Sequence, residues 1–189
     1  MIAPGAPVSD VLRLALVSHA STEAMRLARF PADEPLNATG QRAAAKCPPP
    51  QADRALVAPE SRTAKTAGAL GLSARTDNAL RDLDTGQWCG RAMGDVPPER
   101  LAVWLSDPAA APHGGESIAE LIARVRDWMM ALTADTAPVV AVTHPAVVRA
   151  AILVTLYAPA QSFWRLDIPP LSIVRLHWRS GNWTLRWPW

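Results

Sequence analysis

The chain has 189 residues, 49% of them hydrophobic and 19% charged, and carries a formal net charge of +2 at pH 7. That length suits one domain with a full core, and that composition excludes a disordered chain. Its 19 basic residues, of which only Lys46 and Lys65 are lysines, are scattered and form no run, so no nucleic-acid partner is expected, while a basic pocket for a small anion fits the balance.

Met1 to Asp10 lack a basic start and a long apolar stretch, so no secretory signal is expected there. Leu14-Ala15-Leu16-Val17-Ser18-His19-Ala20 is an apolar run that stops at a histidine, as a buried parallel strand would. The segment from Ala20 to Pro35 has no sustained period and reads as a loop over the sheet edge. Asn37 or Thr39 caps a helix through about Cys47, and Pro48-Pro49-Pro50 stops it. A second strand, Ala55 to Ala58, leads into Pro59-Glu60-Ser61-Arg62. A helix from Ser61 to Leu70 follows, closed by Gly71 in a left-handed cap.

Leu80 to Trp88 is an acidic loop, with a short strand just before it. Val96 to Ser106 is a helix begun by Pro97-Pro98. His113-Gly114-Gly115-Glu116-Ser117 is a glycine turn feeding a helix from Ile118 to Leu132. In that helix Ile118, Leu121, Ile122, Val125, Trp128 and Met129 recur at helical spacing. Val139-Val140-Ala141-Val142-Thr143-His144 repeats the apolar run ending in histidine, and Pro145 opens the next helix. Leu171 to Trp187 reads as a hairpin turning at Ser180-Gly181-Asn182. Its tryptophans, Trp178, Trp183 and Trp187, with Trp189 beyond, are expected to pack on the sheet edge. Alternating strands and helices predict right-handed crossovers and an α/β three-layer sandwich: a mostly parallel sheet, helices on both faces and the hairpin at the C-terminal end, all within a single domain over 1–189.

Ligands of open α/β sheets bind outside the carboxyl ends of the strands. On its own stretch, His19 is most simply a strand-capping histidine. Two of the four histidines close core strands, however, and a third strand leads to Arg62. Two imidazoles and a bidentate guanidinium at one sheet edge make a phosphate pocket.

These residues resemble the histidine phosphatase superfamily, the phosphoglycerate-mutase-like proteins, over most of the chain. Leu16-Val17-Ser18-His19-Ala20 is similar to that family's strand ending in Arg-His-Gly. Arg29-Phe30 and Pro35 to Gly40 are similar to its Arg-Phe and Pro-Leu-Thr segments. Ala58 to Ala67 resembles its Ser-Pro, Arg-Ala, Thr-Ala helix start, and Leu80 to Gly90 its general-acid loop. Gly114-Gly115-Glu116-Ser117 and Thr143-His144 complete the set. The resemblance implies that His19 is the nucleophile and that Arg62 and His144 hold phosphoryl oxygens. It also implies that Asp82 is the acid and later the base, although Asp84 stands close enough to compete. Ser18 and Arg29 are further phosphate-binding candidates. Free amides at the start of the helix after Pro59 would add donors. Glu116 would cap or orient the pocket, His113 would touch substrate, and His177 would be a surface strand residue.

The sequence departs from the family pattern at Ser18, where an arginine is usual, and at Ala20, Ala58 and Pro145-Ala146. A hydroxyl in place of a charged fork removes one donor for the phosphate, so an active enzyme needs a replacement cation. Arg26, Arg29, Arg81 and Lys65 are the candidates. The expected function is a phosphomonoester hydrolase acting through phosphohistidine on a small phosphorylated metabolite. The alternatives are a weakened or repurposed member that binds an anionic ligand, and an enzyme in which His19 does acid/base work without phosphoryl transfer. A mutase is disfavoured, because the insertions the resemblance associates with mutases are missing. No residue selects a substrate, and neither a cofactor nor a metal is implied. Cys47 and Cys89 lack metal-ligand spacing; a disulfide stays open, but two thiols suit a cytoplasmic protein better. No apolar run reaches the roughly 18 residues of a membrane span, so no membrane partner is expected. The oligomeric state is open, a dimer included.

Overall fold

The computed structural model describes residues 11–187. The expectations for Met1 to Asp10 and for Trp189 fall outside them. The strands are β1 (Leu12–Ser18), β2 (Arg54–Val57), β3 (Arg75–Thr76), β4 (Val139–Thr143), β5 (Ile173–Arg179) and β6 (Asn182–Arg186). The helices are α1 (Glu23–Arg26), α2 (Ala38–Lys46), α3 (Ser61–Ala69), α4 (Pro98–Ser106), α5 (Ile118–Leu132) and α6 (Pro145–Leu156). The strands form one six-stranded sheet in the order β3-β2-β4-β1-β5-β6. The first four are parallel and the hairpin β5–β6 is antiparallel.

The layering follows from the sequence pattern. All five residues of β4 are buried, as suits a central parallel strand covered on both faces. Leu12, Leu14 and Leu16 of β1 join the larger core, with Leu121, Val125 and Met129 of α5 and Val147, Ala150 and Ala151 of α6. Val17, Val57, Val140 and Val142 point the other way and meet Ala67 and Leu70 of and after α3. Helices therefore cover both faces of the sheet.

Local chemistry sets the helix ends. The Asn37 side chain accepts from the Gly40 amide at the start of α2. Ser117 and Glu120 cap α5 reciprocally, satisfying two amides that the helix itself leaves free. Ser180 and Gly181 both have positive φ in the β5–β6 turn, the conformation that matches strand twist in a two-residue hairpin. Trp178 and Trp183 face each other across that hairpin with ring centroids 5.5 Å apart. Trp187 instead is 80% exposed, so the expectation of packed tryptophans holds for the first two only.

One further reading is corrected. The segment from Ala20 to Pro35 is not all loop, because Thr22 caps the one-turn α1 through the Met25 amide and Arg26 pairs with Glu23 along it. Cys47 and Cys89 are free thiols. No helix among the described residues is long and apolar enough to cross a membrane.

Candidate active site

The parallel register of β1 with β4 pairs Ser18 with Thr143. The residues that follow, His19 and His144, therefore emerge together at one edge, joined by a His19 N–H bond to the Thr143 carbonyl at 2.9 Å. Their rings meet edge to face with centroids 5.3 Å apart. On the other side of β4, the Ala58 amide bonds the Val142 carbonyl at 3.0 Å. The chain then turns through Pro59 and Glu60 into α3, which brings Arg62 to the same edge. Thr66 locks the two elements together by accepting from the Ala20 amide (3.0 Å) and donating to the Arg62 carbonyl (2.7 Å).

The His19 ring is oriented by its own backbone. Nδ1 lies 2.8 Å from the Ala20 carbonyl oxygen, which can only accept, so Nδ1 carries the proton and Nε2 keeps its lone pair. Burial first, and then the neighbouring His144, lower the His19 pKa to about 4 against the raising effect of the Ala20 bond. The imidazole is therefore neutral at physiological pH, the form a nucleophile needs.

Asp82 comes from the loop between β3 and α4. Its Oδ2 accepts from Arg62 Nη2 at 2.7 Å and lies 3.3 Å from His144 Nδ1. Burial alone would push the Asp82 carboxyl up, but His144 and Arg62 outweigh it and hold it below the ordinary carboxylate value. The loop is fixed from outside the site. Arg124 of α5 donates to the carbonyls of Ala79 (2.7 Å) and Arg81 (3.2 Å) and forks onto Glu116 at 2.8 and 2.7 Å. The Glu116 amide in turn bonds the Asp84 carbonyl at 2.9 Å. Gly86 and Gly115 permit this contact: a Cβ on Gly115 would lie 2.2 Å from the Asp84 carbonyl oxygen, and one on Gly86 2.3 Å from that of His113.

A cavity of about 210 Å³ opens over the sheet edge, lined by His19, Arg62, Asp82 and Arg29, with Phe30, Trp104 and Trp164 among its apolar walls. Arg62 is 2% exposed, and its Nε and Nη1 have no hydrogen-bond partner. Two buried guanidinium donors beside a neutral imidazole fit an entering anion.

His144 lies directly behind this wall, completely buried. Ser18 is not on the wall: it is completely buried and its hydroxyl has no partner. Asp84 turns away to accept from the Gly86 amide at 2.8 Å, which leaves Asp82 facing Arg62 and His144. Among the proposed replacement cations only Arg29 lines the cavity; Arg26 pairs with Glu23, Arg81 with Glu116, and Lys65 is exposed on α3.

Three expectations need correction. His113 is buried against Trp88 and Trp104 and accepts from the Gly115 amide, so it does not reach the cavity. Of the two roles expected of Glu116, it does not cap α5; it orients the pocket from behind by anchoring Arg124. The Ser61 amide at the start of α3 is not free, because Asp33 Oδ1 takes it at 2.6 Å.

Two site residues escaped the sequence reading. Glu60 Oε2 lies 2.7 Å from His144 Nε2, and its Oε1 accepts from the Asp82 amide at 3.0 Å. Burial works against its ionisation, but the His144 contact holds its carboxyl below the ordinary value. Arg149 lines the cavity from α6, one turn after Pro145, with its guanidinium over the Phe163 and Trp164 rings at 5.6 and 5.5 Å. The signal for Arg149 was the spacing of four from Pro145, which puts both on one helix face.

Residues 14–188 match the histidine phosphatase superfamily (branch 1). A glucosyl-3-phosphoglycerate phosphatase of Mycobacterium tuberculosis is 34% identical over 130 residues, which is 59% of this chain and 57% of that protein. The match thus spans little more than half of that relative. The structure of the mycobacterial glucosyl-3-phosphoglycerate phosphatase with VO3 superposes with a TM-score of 0.78 at 29% identity, covering 93% of this chain and 97% of that one. A mutant phosphoserine phosphatase from Entamoeba histolytica in complex with phosphoserine gives a TM-score of 0.82 at 19% identity over 92% and 94% of the two chains, a likeness of fold.

Proposed function

The chain belongs to the histidine phosphatase superfamily, and on that premise we propose that it is a phosphomonoester hydrolase acting through a phosphohistidine on a small phosphorylated metabolite. The observation that carries the reading is the neutral His19 ring, its Nε2 unengaged, lining the same cavity as the two unpartnered donors of Arg62.

In the first step His19 Nε2 attacks phosphorus, a P–N bond forms, and the bond to the leaving oxygen breaks. Asp82 gives that oxygen its proton. In the second step water attacks phosphorus, the P–N bond breaks, and Asp82 takes the water proton. Asp82 is ionised in the free protein, yet it must start protonated. An incoming phosphate dianion supplies the change. It draws the Arg62 and His144 donors to its own oxygens, and the carboxylate is left beside new negative charge, which raises its proton affinity. Arg62 and His144 then stabilise the equatorial oxygens of the transferring group.

The walls suit a leaving group with an apolar body, and Arg29 and Arg149 suit a second anionic group on it. The relative's name joins a phosphate to a glycerate, which carries a carboxylate, so phosphorylated acids head the substrate panel. The free thiols of Cys47 and Cys89 suit a cytoplasmic setting. The deciding experiment offers that panel to wild type and His19→Ala, with substrates labelled in the phosphoryl group. Acid-labile label on wild type alone, with turnover, is the expected result. Wild type no faster than His19→Ala across the panel would overturn the phosphatase reading in favour of an anion-binding protein, which the absence of an arginine at Ser18 already favours as the second reading.

A further inference from the structure

We propose that Glu60 is a positioning residue for this reaction, holding the His144 ring with an N–H on each nitrogen while it tethers the loop that carries Asp82. The inference rests on the phosphatase reading above.

Glu60 occupies the N-cap of α3 by its backbone, but its side chain makes no capping bond. Asp33 takes the first amide of that helix instead, at 2.6 Å. The Glu60 carboxylate is therefore released from the work its position usually does. It turns to the site, where its two oxygens serve two partners: His144 Nε2 at 2.7 Å and the Asp82 amide at 3.0 Å. A single side chain thus joins the second histidine to the acid across two loops.

The His144 ring lies between two carboxylates, Glu60 on Nε2 at 2.7 Å and Asp82 Oδ2 on Nδ1 at 3.3 Å. A neutral imidazole offers one donor and one acceptor, whereas an ionised carboxylate only accepts. A proton on each ring nitrogen bonds Glu60 on one side and sets a positive charge 3.3 Å from Asp82 Oδ2 on the other, where Nδ1 itself makes no hydrogen bond. The other groups at this point are His19 from the end of β1, which is neutral, and Arg62 from α3, which shares the same Asp82 oxygen. Two carboxylates therefore face one guanidinium and the His144 ring. An imidazolium there completes two ion pairs.

The arrangement has a use in the reaction. Nδ1 lies 3.3 Å from Asp82 Oδ2, beside Arg62 Nη2, and like the Arg62 Nε and Nη1 it has no hydrogen-bond partner. When a phosphoryl group enters, both donors can pass to it, while Glu60 stays on the far ring nitrogen and keeps the ring charged. The Glu60–His144 pair thus sets a cationic donor beside the Arg62 guanidinium.

The test is a long-range proton–nitrogen NMR experiment on histidine-labelled protein at neutral pH, beside pH–rate profiles for an aryl phosphate. Wild-type His144 should show both nitrogens protonated, and Glu60→Gln should show one. His144 and the Asp82 amide use different oxygens of Glu60, and a Gln side chain puts an acceptor at only one of those two places. In that variant kcat should fall, and the alkaline limb of its profile should move to lower pH. A wild-type His144 with a bare nitrogen overturns the proposal, whatever the variant does. A Glu60→Gln profile that parallels wild type overturns it too, since a merely structural contact would scale the rate without moving the limb. The spectrum needs no turnover, so it decides this inference even if wild type proves no faster than His19→Ala and the phosphatase reading fails.

Discussion

The two halves of the site are built in different ways. His19 and His144 stand at the ends of neighbouring parallel strands, and the backbone ladder sets their separation. Asp82 stands on a loop, and long side chains from elsewhere set its position: Arg124 and Glu116 from behind, Glu60 from the front. A strand end tolerates changes in the side chains around it, because its geometry is carried by main-chain hydrogen bonds. A loop held by one guanidinium and two carboxylates does not. The nucleophile half should therefore respond to substitutions in its own chemistry, and the acid half to substitutions at a distance.

The largest expected effect is on Asp82, the proposed acid. Asp82→Asn keeps the shape but cannot exchange a proton, and turnover of substrates with poor leaving groups should fall by about 10²–10⁴. Activated aryl phosphates, whose leaving oxygen needs no proton, should suffer less. Equal losses on both would mean that Asp82 binds rather than protonates.

The next concerns the strand-end half and pH. The folded His19 sits near pKa about 4, while an unfolded histidine has 6.5. Between those values the unfolded chain binds more protons, so stability falls as pH drops from 6.5 towards 4, by roughly 3 kcal/mol in full. His19→Gln should lose that dependence in denaturant titrations across this window. A variant that keeps it would place the burden on other histidines.

A smaller loss is expected from Arg124→Met. It removes the clamp on the carbonyls of Ala79 and Arg81 and leaves Glu116, 9% exposed in its side chain, with the outer Arg81 alone. The cost should be about 1–3 kcal/mol of stability, with a fall in kcat and no change in labelling of His19 by an activated phosphoryl donor. Loss of labelling as well would show that the two halves are one unit and erase the contrast.

The smallest effects fall on Ser18. Its buried hydroxyl has no partner, so Ser18→Ala should be neutral within about 0.5 kcal/mol and leave turnover unchanged. Ser18→Arg is the informative companion. A guanidinium forced into that closed position should overpack it, costing about 1–3 kcal/mol, with no gain in turnover. A rise in turnover would show that the pocket is short of a cation and that neither Arg149 nor the Glu60–His144 pair fills the need.

The sequence by itself determined the strand ends, the order of elements and the two histidines, because burial on both faces forces long apolar runs that stop where the sheet does. It also determined Arg62, which the second strand delivers in the first turn of α3. The helix ends at Asn37, Ser117 and Pro145 followed from local bonds over three or four residues. Tertiary structure alone distinguished Asp82 from Asp84, since both lie on one loop and the Arg124, Glu60 and glycine contacts turn one of them inward. It alone separated Arg29 and Arg149 from the other arginines, removed His113 from the site and recruited Glu60. The Glu60–His144 bond joins residues 84 apart in sequence. No periodicity encodes such a pair, because the direction of a long side chain is settled by what the folded chain leaves for it to bond.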